Sequence, residues 1–146
     1  MQKFPLNDFR DCHFLMVGCG NSKLSEEMSQ HGYRHITNID ISDNVIHKMK
    51  NHYSCNFPHQ EYAVIDATHM AYRDNTFDVC IDKGTFDALA CGFNTDIPVK
   101  LVSEMMRVCR VATVIITSGG PEKRMAPFLK VTPNIEYQKI EVSKLA

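Results

Sequence analysis

No apolar run in this 146-residue sequence approaches the roughly 20 residues that a membrane-spanning helix needs, and the opening MQKFPLNDFRD lacks the apolar stretch of a secretory signal. Both absences lead to the expectation of a cytoplasmic chain that does not act at a membrane. Neither sign of charge dominates: 16 Lys+Arg stand against 17 Asp+Glu, for a formal net charge of -1. A chain so balanced has no global pull toward nucleic-acid phosphates, so a nucleic-acid partner is not expected. The six cysteines, Cys12, Cys19, Cys55, Cys80, Cys91 and Cys109, include no C-x-x-C pair, and several sit in apolar stretches where a thiol behaves as a small hydrophobe. Reduced thiols are expected rather than a disulfide framework. His47, His52, Cys55 and His59 cluster in sequence but match no zinc spacing, so no metal site is assigned. There is also no repeat, linker or low-complexity segment.

What is present fits one compact domain, residues 1–146, since the length allows a real core but not a second independent unit. The run His13-Phe-Leu-Met-Val17 stops at Gly18-Cys-Gly20, as a buried parallel strand does when it turns into a helix. Ser22 to His31 reads as that helix, with Leu24 and Met28 on one face and Gly32 as the stop. A second strand spans Ile36 to Ile41, and Ser42 caps a helix carrying Val45, Ile46 and Met49. Tyr62–Ile65 before Asp66, and Phe77–Ile81 before Asp82, read as the third and fourth strands, so that each of these strands ends on an acid. Leu101 to Cys109 forms an amphipathic helix, Ala112 to Thr117 the fifth strand, and Ile135, Tyr137, Ile140 and Val142 an edge strand with a bulge.

Such alternation predicts an α/β fold of three layers, a mostly parallel sheet of about six strands covered by helices on both faces. Ligands of these sheets bind beyond the carboxyl ends of the strands where strand order reverses, which gathers Gly18, Asp40, Asp66 and Asp82 at one crevice. Gly18-Cys19-Gly20-Asn21-Ser22 lets bare backbone approach a ligand at a helix N-terminus. Asp40, about twenty residues on, is placed to accept both hydroxyls of a ribose, which makes the ligand a nucleoside. A nicotinamide dinucleotide shares these features, but its fingerprint asks for a third glycine or alanine where Lys23 stands. Each acid also has a plain structural use: Asp40 and Asp66 can cap turns, and Asp82–Lys83 can be an exposed charge pair.

The runs FLMVGCGNSKLSEEM, NIDIS, VIDATHMAY and FDVCIDKGTFDAL together resemble the class I, Rossmann-like methyltransferases, and among them the eukaryotic group that contains elongation-factor lysine methyltransferases. The likeness runs in register from Phe14 to Leu89 and continues more loosely through TSGGPEKR. It implies S-adenosyl-L-methionine as cofactor and S-adenosyl-L-homocysteine as product. It also implies that Gly18, Cys19, Gly20 and Asn21 pass the methionine end, that Asp40, Ile41 and Ser42 hold the ribose and adenine, and that Asp66 and Ala67 read the adenine edge. Asp82, Lys83 and Gly84 would complete the pocket. The chemistry agrees at Asp66, whose carboxylate can accept from an exocyclic N–H while the Ala67 amide donates to a ring nitrogen.

The resemblance implies transfer of the sulfonium methyl to a nucleophile, foremost a lysine amine of a protein substrate. A lysine of pKa about 10.4 must be neutral to attack, and Asp82 is the candidate to orient it and draw off its proton. No Asn/Asp-Pro-Pro-Tyr follows strand 4, where Asp82-Lys-Gly-Thr85 stands, which disfavours an adenine or glutamine amide acceptor. A small-molecule acceptor is the alternative within the same chemistry, and a catalytically silent binding module is the alternative outside it. Relative to the family, only Met1 to Cys12 precede strand 1, and the usual final antiparallel strand has no counterpart. The expectation is a domain shortened at both ends, its open sheet edge free to recruit a second copy or a partner chain.

Overall fold

In the computed structural model, which describes residues 9–120 and 124–132, the short 3-10 turn Phe9–Asp11 leads into β1 (His13–Val17) and α1 (Leu24–Gln30). There follow β2 (His35–Asp40), α2 (Asp43–Tyr53), β3 (Gln60–Val64), β4 (Phe77–Lys83), α3 (Thr85–Ala90), α4 (Asp96–Val108), β5 (Cys109–Ile116) and α5 (Ala126–Val131). The strands form one five-stranded sheet in the order β3-β2-β1-β4-β5, with every pairing parallel. Strand order reverses between β1 and β4, the place where ligands of such sheets bind beyond the carboxyl ends of the strands. The segment Ile135–Val142, read from sequence as an edge strand, lies outside the described residues. Among the described residues no helix is long and apolar enough to cross a membrane.

β1 is the centre of the sheet, and its unbroken apolar run follows from having helices on both faces. Phe14 and Met16 join Cys12, Ile36 and Ile46 in one cluster, against which Leu24 and Met28 of α1 pack. Leu15 and Val17 point into the other, with Ile39, Cys80, Phe86, Leu101 and Met105, and with Phe128 of α5 beside them. α4 buries Pro98, Leu101, Val102, Met105 and Val108, a helical stripe whose proline sits in the first turn, where no intrahelical N–H is required.

α1 has seven residues and no side-chain cap, too little to hold itself. A buried polar set pins it: Ser25 Oγ donates to Asn38 Oδ1 at 2.5 Å, and Gln60 Nε2 donates to Ser25 O at 2.9 Å and Ser29 Oγ at 2.7 Å. The bulge in the described sheet falls between Phe77 and Val79, where β5 carries an extra residue. Several sequence-read bounds move. α1 starts at Leu24, with Ser22 Oγ accepting from its amide at 3.3 Å. β3 ends at Val64, two residues before Asp66, and β4 runs through Asp82 to Lys83, so only β2 ends on an acid.

Candidate functional site

The turn after β1 is built on two left-handed residues, Gly18 at φ +59° and Gly20 at φ +51°, a conformation that costs any residue with a Cβ. This turn is tied to the end of β2: Cys19 N donates to Ile39 O at 2.9 Å and Gly20 N to Asp40 Oδ2 at 2.9 Å. Asp40 Oδ1 accepts from Ser42 N at 2.9 Å. Each carboxylate oxygen therefore holds one backbone amide and keeps a lone pair, while the residue is only half-buried. Ile41 beside it is 71% exposed, a bare apolar surface next to a carboxylate with acceptor capacity to spare. Burial first, then the charge of Asp40, pushes the Cys19 thiol up to about 12, so it is a neutral lining group and not a nucleophile.

The β3 end adjoins this wall through Ile65 N, which donates to Asp40 O at 3.0 Å. Asp66 is exposed, and its Oδ1 accepts from Thr68 N at 2.8 Å and Thr68 Oγ1 at 2.7 Å. Those hydrogen bonds hold its carboxyl below the usual range, so an acceptor is kept ready at the rim. Ala67 follows, partly buried against the core. His47, His52, Cys55 and His59 are all exposed, and among the described residues no three metal-ligating side chains come together.

Asp82 departs from its expected role. It is wholly enclosed, and both its oxygens accept from Phe86 N, at 3.2 and 3.0 Å. α3 has Gly84 at its N-cap and no side-chain cap of its own, so Asp82 satisfies the orphan amide from the preceding strand. It is thus neither an exposed partner of Lys83 nor a group that can reach an acceptor amine. Burial pushes its carboxyl up to about 6, against the opposing amide bonds of Phe86 and Gly84 and with the charge of Asp87 adding to the rise. Lys83 and Gly84 are exposed at the mouth.

Two residues of this side escaped the sequence reading. Thr85 Oγ1 is shared between Val17 O at 3.3 Å and Gly18 O at 3.4 Å, and a Cβ on Gly18 would stand 1.8 Å from it. Gly18 is therefore a glycine for packing as well as for φ. Asp87 accepts from Ser118 N at 2.7 Å, Ser118 Oγ at 2.9 Å and Thr117 Oγ1, and pairs with Arg124 Nε at 3.1 Å. Burial alone would raise its carboxyl, but the Thr117 and Ser118 hydrogen bonds and the Arg124 charge hold it below its ordinary value.

A parallel sheet with a double-glycine turn and a rim carboxylate at its switch point defines a Rossmann-like domain. Residues 15–117 match the family model described as a methyltransferase domain, and the chain belongs to that family. It is 39% identical over 106 residues to the human eEF1A lysine and N-terminal methyltransferase, covering 73% of this chain and 15% of that protein. It is 49% identical over 75 residues to the Drosophila melanogaster homolog, covering 51% of this chain and 11% of that one. The bovine EEF1A lysine methyltransferase 4 matches at 36% over 78 residues, 53% of this chain and 30% of that. The chain thus spans a minor part of the length of these curated relatives. In fold, it is similar to a SAM-dependent methyltransferase from Methanosarcina mazei, at TM-score 0.60 and 21% identity over 75% of this chain and 54% of that. A SAM-dependent methyltransferase from Aquifex aeolicus also has TM-score 0.60, at 19% identity over 77% of this chain and 63% of that.

Proposed function

We propose that the crevice binds S-adenosylmethionine and that the protein transfers its methyl group to an amine of a protein, foremost a lysine of elongation factor 1A. The observation that carries the reading is Asp40: a half-buried carboxylate fixed by Gly20 N and Ser42 N, with unused lone pairs beside exposed Ile41. That arrangement suits a ribose with its two hydroxyls on the acid and the adenine on the isoleucine. Gly18 to Asn21 would run along the methionine end, Asp66 and Ala67 would read the adenine, and Lys83 and Gly84 would close the side nearest β4. The cofactor supplies an activated methyl, so the chain's own residues have to bind, orient and exclude water. The acceptor identity rests on the names of the three curated relatives, all of which carry eEF1A methyltransferase in their names, at 39%, 49% and 36% identity.

With Asp82 enclosed, its carboxylate is not positioned to take the lysine proton directly. Calorimetry with S-adenosylhomocysteine tests the site, and incorporation of labelled methyl into purified elongation factor 1A tests the acceptor. Binding without incorporation would retain the cofactor site and refute the acceptor; no binding would refute both.

A further inference from the structure

Two polar side chains of the β4–α3 stretch have no part in holding the cofactor as described above, yet both are committed to loops at the mouth. Thr85, first residue of α3, hydrogen-bonds Val17 O and Gly18 O and fills the notch left by the missing Cβ of Gly18. Asp87, two residues on, holds Thr117 and Ser118 after β5 by backbone and hydroxyl bonds, with Arg124 as counter-ion. Gly119 N in turn donates to Thr117 Oγ1 at 3.1 Å, so the whole start of that loop hangs from one carboxylate.

Topology divides the crevice between these loops. The nucleoside determinants lie at the ends of β1, β2 and β3, with Lys83 and Gly84 at their border, which leaves the far side of β4 and the end of β5 for whatever receives the methyl group. We propose that Thr85 and Asp87 are positioning residues that join the two walls through α3, Thr85 fixing the glycine turn on the cofactor side and Asp87 fixing Thr117–Gly119 on the acceptor side. For its consequence in catalysis the inference rests on the methyl-transfer reading; for the coupling itself it rests on geometry. In-line displacement is sensitive to placement, with about 1 Å of error costing on the order of a hundredfold in rate. A six-residue helix touching both walls, with its own amide end tied down by Asp82, removes that error without contacting either reactant.

Hydrogen exchange on the unliganded chain reads the coupling directly. Thr85→Val keeps the branched shape and removes the hydroxyl. It is expected to speed exchange about tenfold at Cys19 and Gly20 and also at Ser118 and Gly119, across the helix, with Thr85→Ser restoring the wild-type rates. Asp87→Asn is expected to do the same in the opposite direction. Acceleration confined to the loop each residue touches overturns the proposal, and so does equal acceleration throughout the molecule. In a second arm, Asp87→Asn should bind S-adenosylhomocysteine within about twofold of wild type, since the closed glycine turn stays the dominant state. Its methyl transfer to elongation factor 1A should fall at least about tenfold; unchanged transfer overturns the proposal. A wild-type chain that binds no S-adenosylhomocysteine would instead defeat the cofactor reading, and the exchange rates would still decide whether the walls are joined.

Discussion

The ends of β2 and β4 carry an aspartate each, followed within a few residues by a helix, and the two acids do opposite work. After β2, Ser42 supplies the cap of α2, its Oγ accepting from Val45 N at 3.4 Å, so Asp40 is left with spare acceptor capacity at the rim. After β4, the N-cap is Gly84, which has no side chain to offer, and Asp82 is drawn inward to satisfy Phe86 N. In this chain the strand-end aspartate beside a capping serine keeps acceptor capacity at the rim, and the one beside a glycine N-cap is part of the frame.

If the β4 end is frame, its largest sensitivity is to packing. Phe86 is fully enclosed, with its ring 5.3 Å from that of Phe128. Phe86→Ala should cost about 4 kcal/mol of stability, read from the urea midpoint. A loss under about 1 kcal/mol would break the comparison by showing that this end is loosely held.

The next effect is electrostatic and has a definite sign. The Asp82 carboxyl has a folded pKa of about 6 against an ordinary value of 3.8, so the folded protein binds the extra proton between those pH values. Its contribution is therefore fully present below about pH 4 and is lost as pH rises through 6; a two-unit shift corresponds to about 3 kcal/mol. Asp82→Asn cannot titrate. Relative to that variant, wild type should lose about this much stability between pH 4 and 7.5, a difference in which other carboxylates cancel. Asp66, Asp87 and Glu104, all held below their usual values, act the other way, and their stabilisation is lost only as pH falls below about 4. A pH-independent difference would mean Asp82 is not enclosed as described.

The sheet was legible because its signals are periodic and local: the His13–Val17 run, the glycine turn and the Ser42 cap each fall where the structure has them. The position of Asp40 at the end of β2, beside the glycine turn, was legible for the same reason. The burial of Asp82 was not legible because its partner is an amide four residues on in a helix whose missing cap only becomes a demand once the strand delivers the acid into the core. Thr85 was invisible because its partner is the absence of a side chain at Gly18, a contact about seventy residues away in sequence that no spacing rule encodes. The FDVCIDKGTFDAL stretch was singled out in sequence, but for Asp82, Lys83 and Gly84 rather than for the two side chains that tie the loops.

On the β2 side the sensitivity shifts from stability to binding. Asp40→Ala should weaken S-adenosylhomocysteine by about 2 kcal/mol, or roughly thirtyfold, through loss of charged hydrogen bonds to the ribose. Stability should fall by about 1 kcal/mol as Gly20 N and Ser42 N lose their acceptor to water. Calorimetry on protein whose circular dichroism is unchanged reads the first figure. Affinity within twofold of wild type would remove Asp40 from the site.

The smallest effect falls on Ser42, which separates a residue that spares Asp40 from one that binds the cofactor itself. Its hydroxyl bond to Val45 N is long, at 3.4 Å, so the cap is at the weak end of its kind. Ser42→Ala should cost about 0.5–1 kcal/mol of stability, because α2 is also held by Ile46, Met49 and Tyr53 in the core. The contact that Ser42 makes with Asp40 runs through its backbone amide, and alanine retains it. Cofactor affinity should therefore stay within about twofold, well under one 1.4 kcal/mol decade. The opposite pattern, a stability unchanged and an affinity reduced tenfold, would make the hydroxyl a ligand and not a cap. Asp40 would then share the ribose with Ser42, and the contrast drawn from the two strand ends would fail at the residue on which it rests.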